Sequence, residues 1–247
     1  MNRNIKRMLK RLAGIRLPAS LERRIGKFAS YALEHRGMGI VSYNYTPEQR
    51  RIFDLVHKIQ TETELLTTED GAQQLFMAVK KSGRVIGDLA EVGVYKGGSA
   101  KLICEAMQER GENSSNLYLF DTFEGLKNVR EIDRAHMYNG QFESRFEEVS
   151  NYLKGYERVF IYKGLFPATG EPIKNRRFSF VNFDVDTYES TAACIQFFYP
   201  RMNPGGIIMS HDYATLPGVK KAIDDFFADK PELIIEMART QCLVVKS

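Results

Sequence analysis

The stretch Gly87-Asp-Leu-Ala-Glu-Val-Gly-Val-Tyr-Lys-Gly-Gly-Ser99, followed at once by Ala100-Lys-Leu-Ile-Cys-Glu-Ala-Met107, constrains the fold of this chain more than any other. An apolar run ends in an acid, Glu91, then come glycines at 93, 97 and 98, then a helix-forming run. Glycine lets a backbone turn sharply and approach a ligand closely, and a helix that starts there points its N-terminus at that ligand. Strand, glycine turn and helix in this order make the cofactor edge of an α/β sheet. The spacing is not the dinucleotide fingerprint G-x-G-x-x-G. Here the order is G-x-x-x-G-G, with a carboxylate two residues before the first glycine.

A carboxylate at that point suits a ligand that brings positive charge and no pyrophosphate. S-adenosylmethionine (SAM), with its ammonium and sulfonium, is such a ligand. Glu91 is then expected at the ammonium, with Gly93, Tyr95, Gly97, Gly98 and Ser99 shaping the methionine pocket. A second acid agrees. Asn116-Leu-Tyr-Leu-Phe-Asp121 is a short apolar run ending in aspartate, where α/β nucleotide folds place an acid on the ribose hydroxyls. Asp121 followed by Thr122 also suits a turn or helix cap. Taken with Glu91 and the glycines, the ribose role is preferred, with Thr122 and Phe123 flanking the nucleoside.

Around these motifs strands and helices alternate, the pattern of a parallel sheet covered on both faces. Strands are expected near 85–92, 116–121, 157–162, 178–184 and 205–210, and helices near 98–110, 142–154, 188–199 and 217–228. Two helices precede them. One starts at Thr46-Pro-Glu-Gln49, the other runs from Thr68 to Lys81. The C-terminus breaks the alternation. Glu232-Leu-Ile-Ile-Glu-Met237 and Gln241-Cys-Leu-Val-Val-Lys246 are separated by Ala-Arg-Thr, too short for a parallel crossover, so these strands pair as a hairpin or lie apart. The expected fold is a Rossmann-like α/β sheet, mostly parallel, with an antiparallel C-terminal hairpin strand and N-terminal helices. A basic helical extension (1–45) precedes one domain (46–247).

The charge supports that division. Residues 1–36 hold ten Lys or Arg and two Glu, a surplus of +8, which leaves −4 on the other 211 residues of a chain whose net charge is +4. Ile5, Met8, Leu9 and Leu12 recur there at helical spacing. A basic amphipathic helix fits peripheral contact with an anionic membrane surface. It equally fits a solvated helix packed on its own domain or a sister subunit, and this plainer reading is preferred. A homo-oligomer is expected. Basic residues without interleaved aromatics or a recognised module speak against nucleic acid. Cysteines 104, 194 and 242 are widely spaced in apolar runs with no CxxC pair, which points to buried thiols in a reducing compartment. No apolar run approaches the ~20 residues needed to cross a bilayer, and no secretory signal is visible, so a cytoplasmic location is expected.

A second constellation lies downstream. Phe180-Val-Asn-Phe-Asp184-Val-Asp186-Thr-Tyr188 is a buried run ending in two acids, and Pro204-Gly-Gly-Ile-Ile-Met-Ser-His211-Asp212-Tyr213 is a turn, a strand and a His–Asp pair. If both strands are central, their carboxyl ends meet at the ligand crevice of an open α/β sheet. The cluster suits a divalent cation or a general base for a substrate hydroxyl. Asp186 is read as a cap of the helix near Tyr188. Asp184 and His211 are read as functional, since polar groups at buried strand ends are costly without a use. An imidazole, with an ordinary pKa of about 6.5, is placed to take a proton near neutrality.

Several segments in order resemble the macrocin O-methyltransferase family. These are Glu91-Val-Gly-Val-Tyr-Lys-Gly-Gly-Ser99, Phe120-Asp-Thr-Phe-Glu-Gly-Leu126, Tyr162-Lys-Gly-Leu-Phe166, Asp184-Val-Asp-Thr-Tyr-Glu-Ser-Thr191, Tyr199-Pro, Pro204-Gly-Gly206 and Asp212-Tyr213. The resemblance covers roughly residues 60–230. It implies the class I methyltransferase sheet and SAM-dependent O-methylation of a sugar hydroxyl on a natural product or other saccharide. It also implies a Mg²⁺ site, to which Asp184 and Asp212 match; at His211 the family pattern has aspartate. Two other classes stay open at this point: a non-catalytic SAM-binding or scaffolding protein, and a nucleotide-dependent oxidoreductase that lacks the usual glycine spacing.

Overall fold

The computed structural model describes residues 46–110, 114–237 and 239–247; the basic extension and its amphipathic helix lie outside the described residues. Helix α1 (Pro47–Glu62) starts on the expected proline and buries Ile52, Phe53, Val56 and Ile59 along one face. Helix α2 (Glu69–Ser82) is capped by Thr68, whose hydroxyl accepts the Gly71 N–H at 3.1 Å, and it buries Leu75, Phe76 and Val79. The alternation follows as β1 (Asp88–Val92), α3 (Gly98–Gln108), β2 (Leu117–Asp121), α4 (Phe146–Leu153), β3 (Val159–Lys163), β4 (Phe178–Phe183), α5 (Tyr188–Phe198), β5 (Met202–Ser210) and α6 (Pro217–Phe227). The hairpin β6 (Ile235–Glu236) and β7 (Cys242–Val245) closes the chain.

The seven strands form one sheet in the order β3-β2-β1-β4-β5-β7-β6. The first five are parallel, and β7 runs antiparallel to both β5 and β6. From β1 the chain builds outward through β2 and β3, then crosses back to β4. The crevice between β1 and β4 is therefore the point where strand order reverses, the place where open α/β sheets bind ligands.

Successive side chains on each strand enter opposite layers. Leu89, Leu117, Leu119 and Phe180 pack with α1, α2 and α3 on one face, through Val56, Phe76, Leu102 and Ile103. Ala90, Phe120, Val181 and Phe183 pack on the other face with α5 and α6, through Cys194, Ile195, Phe198 and Ile223. With apolar residues on both sides, the central strands read as continuous hydrophobic runs. All three cysteines are buried and free, as expected. Among the described residues no helix is long and apolar enough to cross a membrane.

Three boundaries differ from expectation for local reasons. Strand β5 starts at Met202 because a bulge through Gly205 (φ +82°) absorbs the Pro-Gly-Gly turn without ending the ladder. Helix α4 starts four residues late, since Phe142 takes a left-handed conformation (φ +63°). Strand β6 is short because Glu232 leaves the ladder to accept Lys246 Nζ at 2.7 Å and the Tyr199 hydroxyl at 2.9 Å.

Candidate active site

The glycine turn after β1 is held by chemistry, not only by glycine. Gly93 has φ +90°, and a Cβ there would stand 1.8 Å from the Asp184 carbonyl oxygen, so β1 and β4 approach this closely only with glycine in place. Tyr95, a non-glycine residue at φ +49°, is kept there by Asp121. Asp121 Oδ2 accepts the N–H of Val94 at 2.7 Å and of Tyr95 at 2.8 Å, while Oδ1 accepts the N–H of Phe123 at 2.7 Å. Burial raises the Asp121 pKa, against the pull of these three bonds. The acid expected on the ribose thus braces the turn, with one lone pair left over. Helix α3 starts on Gly97 at φ +81°, which puts its first-turn amides, unpaired within the helix, at the turn.

A cavity of about 330 Å³ opens over this turn. Gly93, Tyr95, Gly98 and Ser99 line it from the turn, Asp121 and Thr122 from the end of β2. Asp184 and Asp186 line it from the end of β4, His211 and Asp212 from the end of β5. The two constellations expected apart in sequence therefore share one cavity.

Three expected cofactor residues do not reach its wall. Glu91 is fully buried on the central strand, where register sets it beside Asn182; that amide donates to Oε1 at 2.9 Å. Burial pushes the Glu91 carboxyl up to about 8 despite hydrogen bonds from Asn182 and Ser99. Gly97 acts as the helix start behind the wall. Phe123 turns into the core, edge-on to Phe146 at 5.3 Å, because Asp121 holds its backbone in a left-handed turn (φ +56°).

The acids and the imidazole form a tight group. His211 Nδ1 lies 2.8 Å from Asp212 Oδ2 and 3.4 Å from Asp184 Oδ1. Thr215 donates to the other Asp212 oxygen at 3.0 Å, and Thr240 Oγ1 stands 3.4 Å from His211 Nε2. Burial alone would lower the imidazole pKa, but Asp184 and Asp212 outweigh it and raise it to about 11. In return the imidazolium holds the Asp212 carboxyl below its usual range, against burial. Between two carboxylates the ring is pushed towards the imidazolium, which speaks against the expected neutral imidazole ready to accept a proton. Asp186 is not the helix cap either. Thr187 caps α5 through the Ser190 N–H, while Asp186 faces the cavity with φ +59°. Burial and the neighbouring Asp184 and Asp212 raise its carboxyl well above the ordinary carboxylate range.

Gly164, Leu165 and Phe166, legible in sequence only as part of a family segment without a site role, line the cavity after β3. The signal lay in register: Asp121 pairs with Lys163, and the Gly164 N–H donates to the Asp121 carbonyl at 2.9 Å, so these residues must flank Asp121. Asn182 on the wall, behind which Glu91 lies, was missed because a lone amide in an apolar strand carries no pattern.

Strand order and crevice together define the class I methyltransferase fold. A solved neighbour, the O-methyltransferase NovP, superposes with a TM-score of 0.65 at 25% identity, over 72% of this chain and 80% of that one. The calicheamicin methyltransferase CalS11 shares the fold at 18% identity and a TM-score of 0.62, over 82% of this chain and 94% of its own. The family model described as Macrocin-O-methyltransferase (TylF) matches residues 70–239, and the chain belongs to that family. Among curated relatives, a rhamnosyl-tetracenomycin C 4'-O-methyltransferase of Streptomyces olivaceus is 30% identical over 154 residues, 58% of each chain. Demethyldecarbamoylnovobiocin O-methyltransferase of Streptomyces niveus is 28% identical over 155 residues, 58% of this chain and 59% of its own. The chain thus spans less than two thirds of the length of these relatives.

Proposed function

We propose that the protein is a SAM-dependent O-methyltransferase acting on a hydroxyl, that of a sugar in a glycosylated natural product or saccharide. The observation that carries this reading is the single cavity shared by the glycine turn and the Asp184–His211–Asp212 group. The cavity suits SAM: the amides opening α3 suit its carboxylate, and Asp121 suits its ribose hydroxyls. When bound, SAM supplies a methyl group activated on sulfonium. The sugar acceptor is supported by the named tetracenomycin relative, whose target is a rhamnosyl group.

Asp184 is the proton acceptor in this reading. Its side chain is 33% exposed, against 21% for Asp212 and 13% for His211, so it is the member of the group open to a substrate. As the acceptor oxygen attacks the methyl carbon in line, the oxygen becomes an oxonium of high acidity. A carboxylate suffices to take its proton, and no prior ionisation of the hydroxyl is needed. His211 and Asp212 hold Asp184 in place and keep a counter-charge beside it.

The Mg²⁺ implied by the family fits this group poorly. Asp184, His211 and Asp212 each offer one atom, all within 4.8 Å of one another. One of the three is a nitrogen, which Mg²⁺ disfavours, and both Asp212 oxygens are engaged by His211 and Thr215. Calorimetric titration with SAM tests the reading, once in EDTA and once in MgCl2. Equal affinity in both, with methyl transfer to a rhamnoside acceptor undiminished by EDTA, is the expected result. Failure to bind SAM in either medium would overturn the function.

A further inference from the structure

Residues 126–141 leave the end of β2 and return towards α4 as a closed loop that the proposed chemistry does not use. Two backbone bonds pin its neck: Leu126 N–H to the Gln141 carbonyl at 2.8 Å and Gly140 N–H to the Leu126 carbonyl at 2.9 Å. Leu126, Lys127 and Met137 line the cavity, and Phe142, just past the neck, meets Tyr95 edge-on at 5.8 Å. The loop therefore covers the end of the cavity beside the glycine turn, where the cofactor is proposed to lie.

Asp133 is a carboxylate of this loop with only 4% of its surface exposed. Oδ1 accepts the N–H of Tyr188, the first residue of α5, at 3.2 Å, and Oδ2 accepts the Arg130 N–H at 3.2 Å. Its carbonyl accepts the N–H of His136 at 3.0 Å and of Met137 at 2.9 Å, winding the turn that carries Met137. Gly218, in the first turn of α6, packs so closely that a Cβ there would stand 1.8 Å from Asp133 Oδ1. Helix α5 follows Asp184 and Asp186, and α6 follows His211 and Asp212. One carboxylate of the loop thus rests on the starts of both helices that leave the reactive group, where helix dipoles favour negative charge. The Arg130–Glu189 pair at 2.7 Å is a second tie, but both partners are exposed and it adds little. Burying a charge in a loop is costly, and a mere connection has no use for one.

We propose that Asp133 is a positioning residue that seats the 126–141 loop over the cavity and so sets how long the demethylated product S-adenosylhomocysteine (SAH) and its parent cofactor stay bound. This rests on the SAM reading above. The test is stopped-flow SAH release from wild type, Asp133→Ala, Asp133→Asn and Gly218→Ala. Asparagine keeps an oxygen for Tyr188 but loses the charge and the Arg130 bond. The alanine at 218 displaces the carboxylate from outside the cavity. Loss of these charge-assisted bonds should speed release on the order of tenfold in Asp133→Ala, with Asp133→Asn in between and Gly218→Ala also faster. Association rates should stay within about twofold, which a general loosening of the fold would not allow. Unchanged release from Asp133→Ala, or release and association shifting together, would overturn the proposal. Should that variant not fold, Asp133→Asn and Gly218→Ala decide it by the same measure. Absence of SAH binding to wild type would instead sink the cofactor reading, and this proposal with it.

Discussion

At the scale of single residues, the reactive group is ordered by access. Asp184 is its most exposed member, so Asp184→Asn should lower methyl transfer by roughly 10²–10⁴-fold, the range of a lost general base. SAM affinity in the same variant should change by no more than a few-fold; calorimetry beside a transfer assay checks both, and retained turnover would move the proton elsewhere. Glu91 gives a pH prediction. Its carboxyl titrates near 8 when folded and near 4.5 when unfolded, so between those values the folded state holds the extra proton. Stability from this group is fully present below about 4.5 and is lost as pH rises towards 8. Glu91→Gln should flatten that decline, seen as a smaller fall in melting temperature from pH 5 to 8 than in wild type.

At the scale of elements, the turn between β1 and α3 gathers positive φ at Gly93, Tyr95 and Gly97. Gly93 and Gly97 supply left-handed backbone, and Asp121 reaches across from β2 to hold Tyr95 in the same region. Gly93→Ala would drive a methyl into the Asp184 carbonyl at 1.8 Å. Because that atom is backbone, relief requires β1 and β4 to part. The expected cost is on the order of 2–4 kcal/mol in denaturant unfolding, with SAM binding lost in step. A variant as stable as wild type would mean that the strands separate here freely.

At the scale of the molecule, the central strands are covered by helices on both faces, while the hairpin sits at an edge. Hydrogen exchange should therefore be slowest at Leu89–Val92, Leu117–Phe120 and Val181–Phe183, and fastest among strands at Ile235–Glu236, whose residues are exposed. Mass spectrometry of exchanged peptides would show it, and uniform rates across the sheet would refute the layering.

Much of this was legible in the amino-acid order because it rests on local rules. Apolar runs alternating with helical periods yield a parallel sheet; Thr68 and the Pro47 start mark helix ends; the short link between the last two apolar runs rules out a parallel crossover. The glycine turn and the acids at 121, 184 and 212 were visible for the same reason, since each sits at the end of an apolar run. What the order of residues alone left open depends on neighbours distant in the chain. Glu91 lies behind the wall because register pairs it with Asn182, 91 positions away. The His211 pKa is raised because the tertiary fold brings the carboxylates of two different strand ends to the same ring. Asp133 meets α5 and α6 only after the chain has crossed the sheet. Spacing along a chain determines which elements form and where they turn; charge state and solvent access are properties of three-dimensional surroundings, and those exist only once the layers have packed.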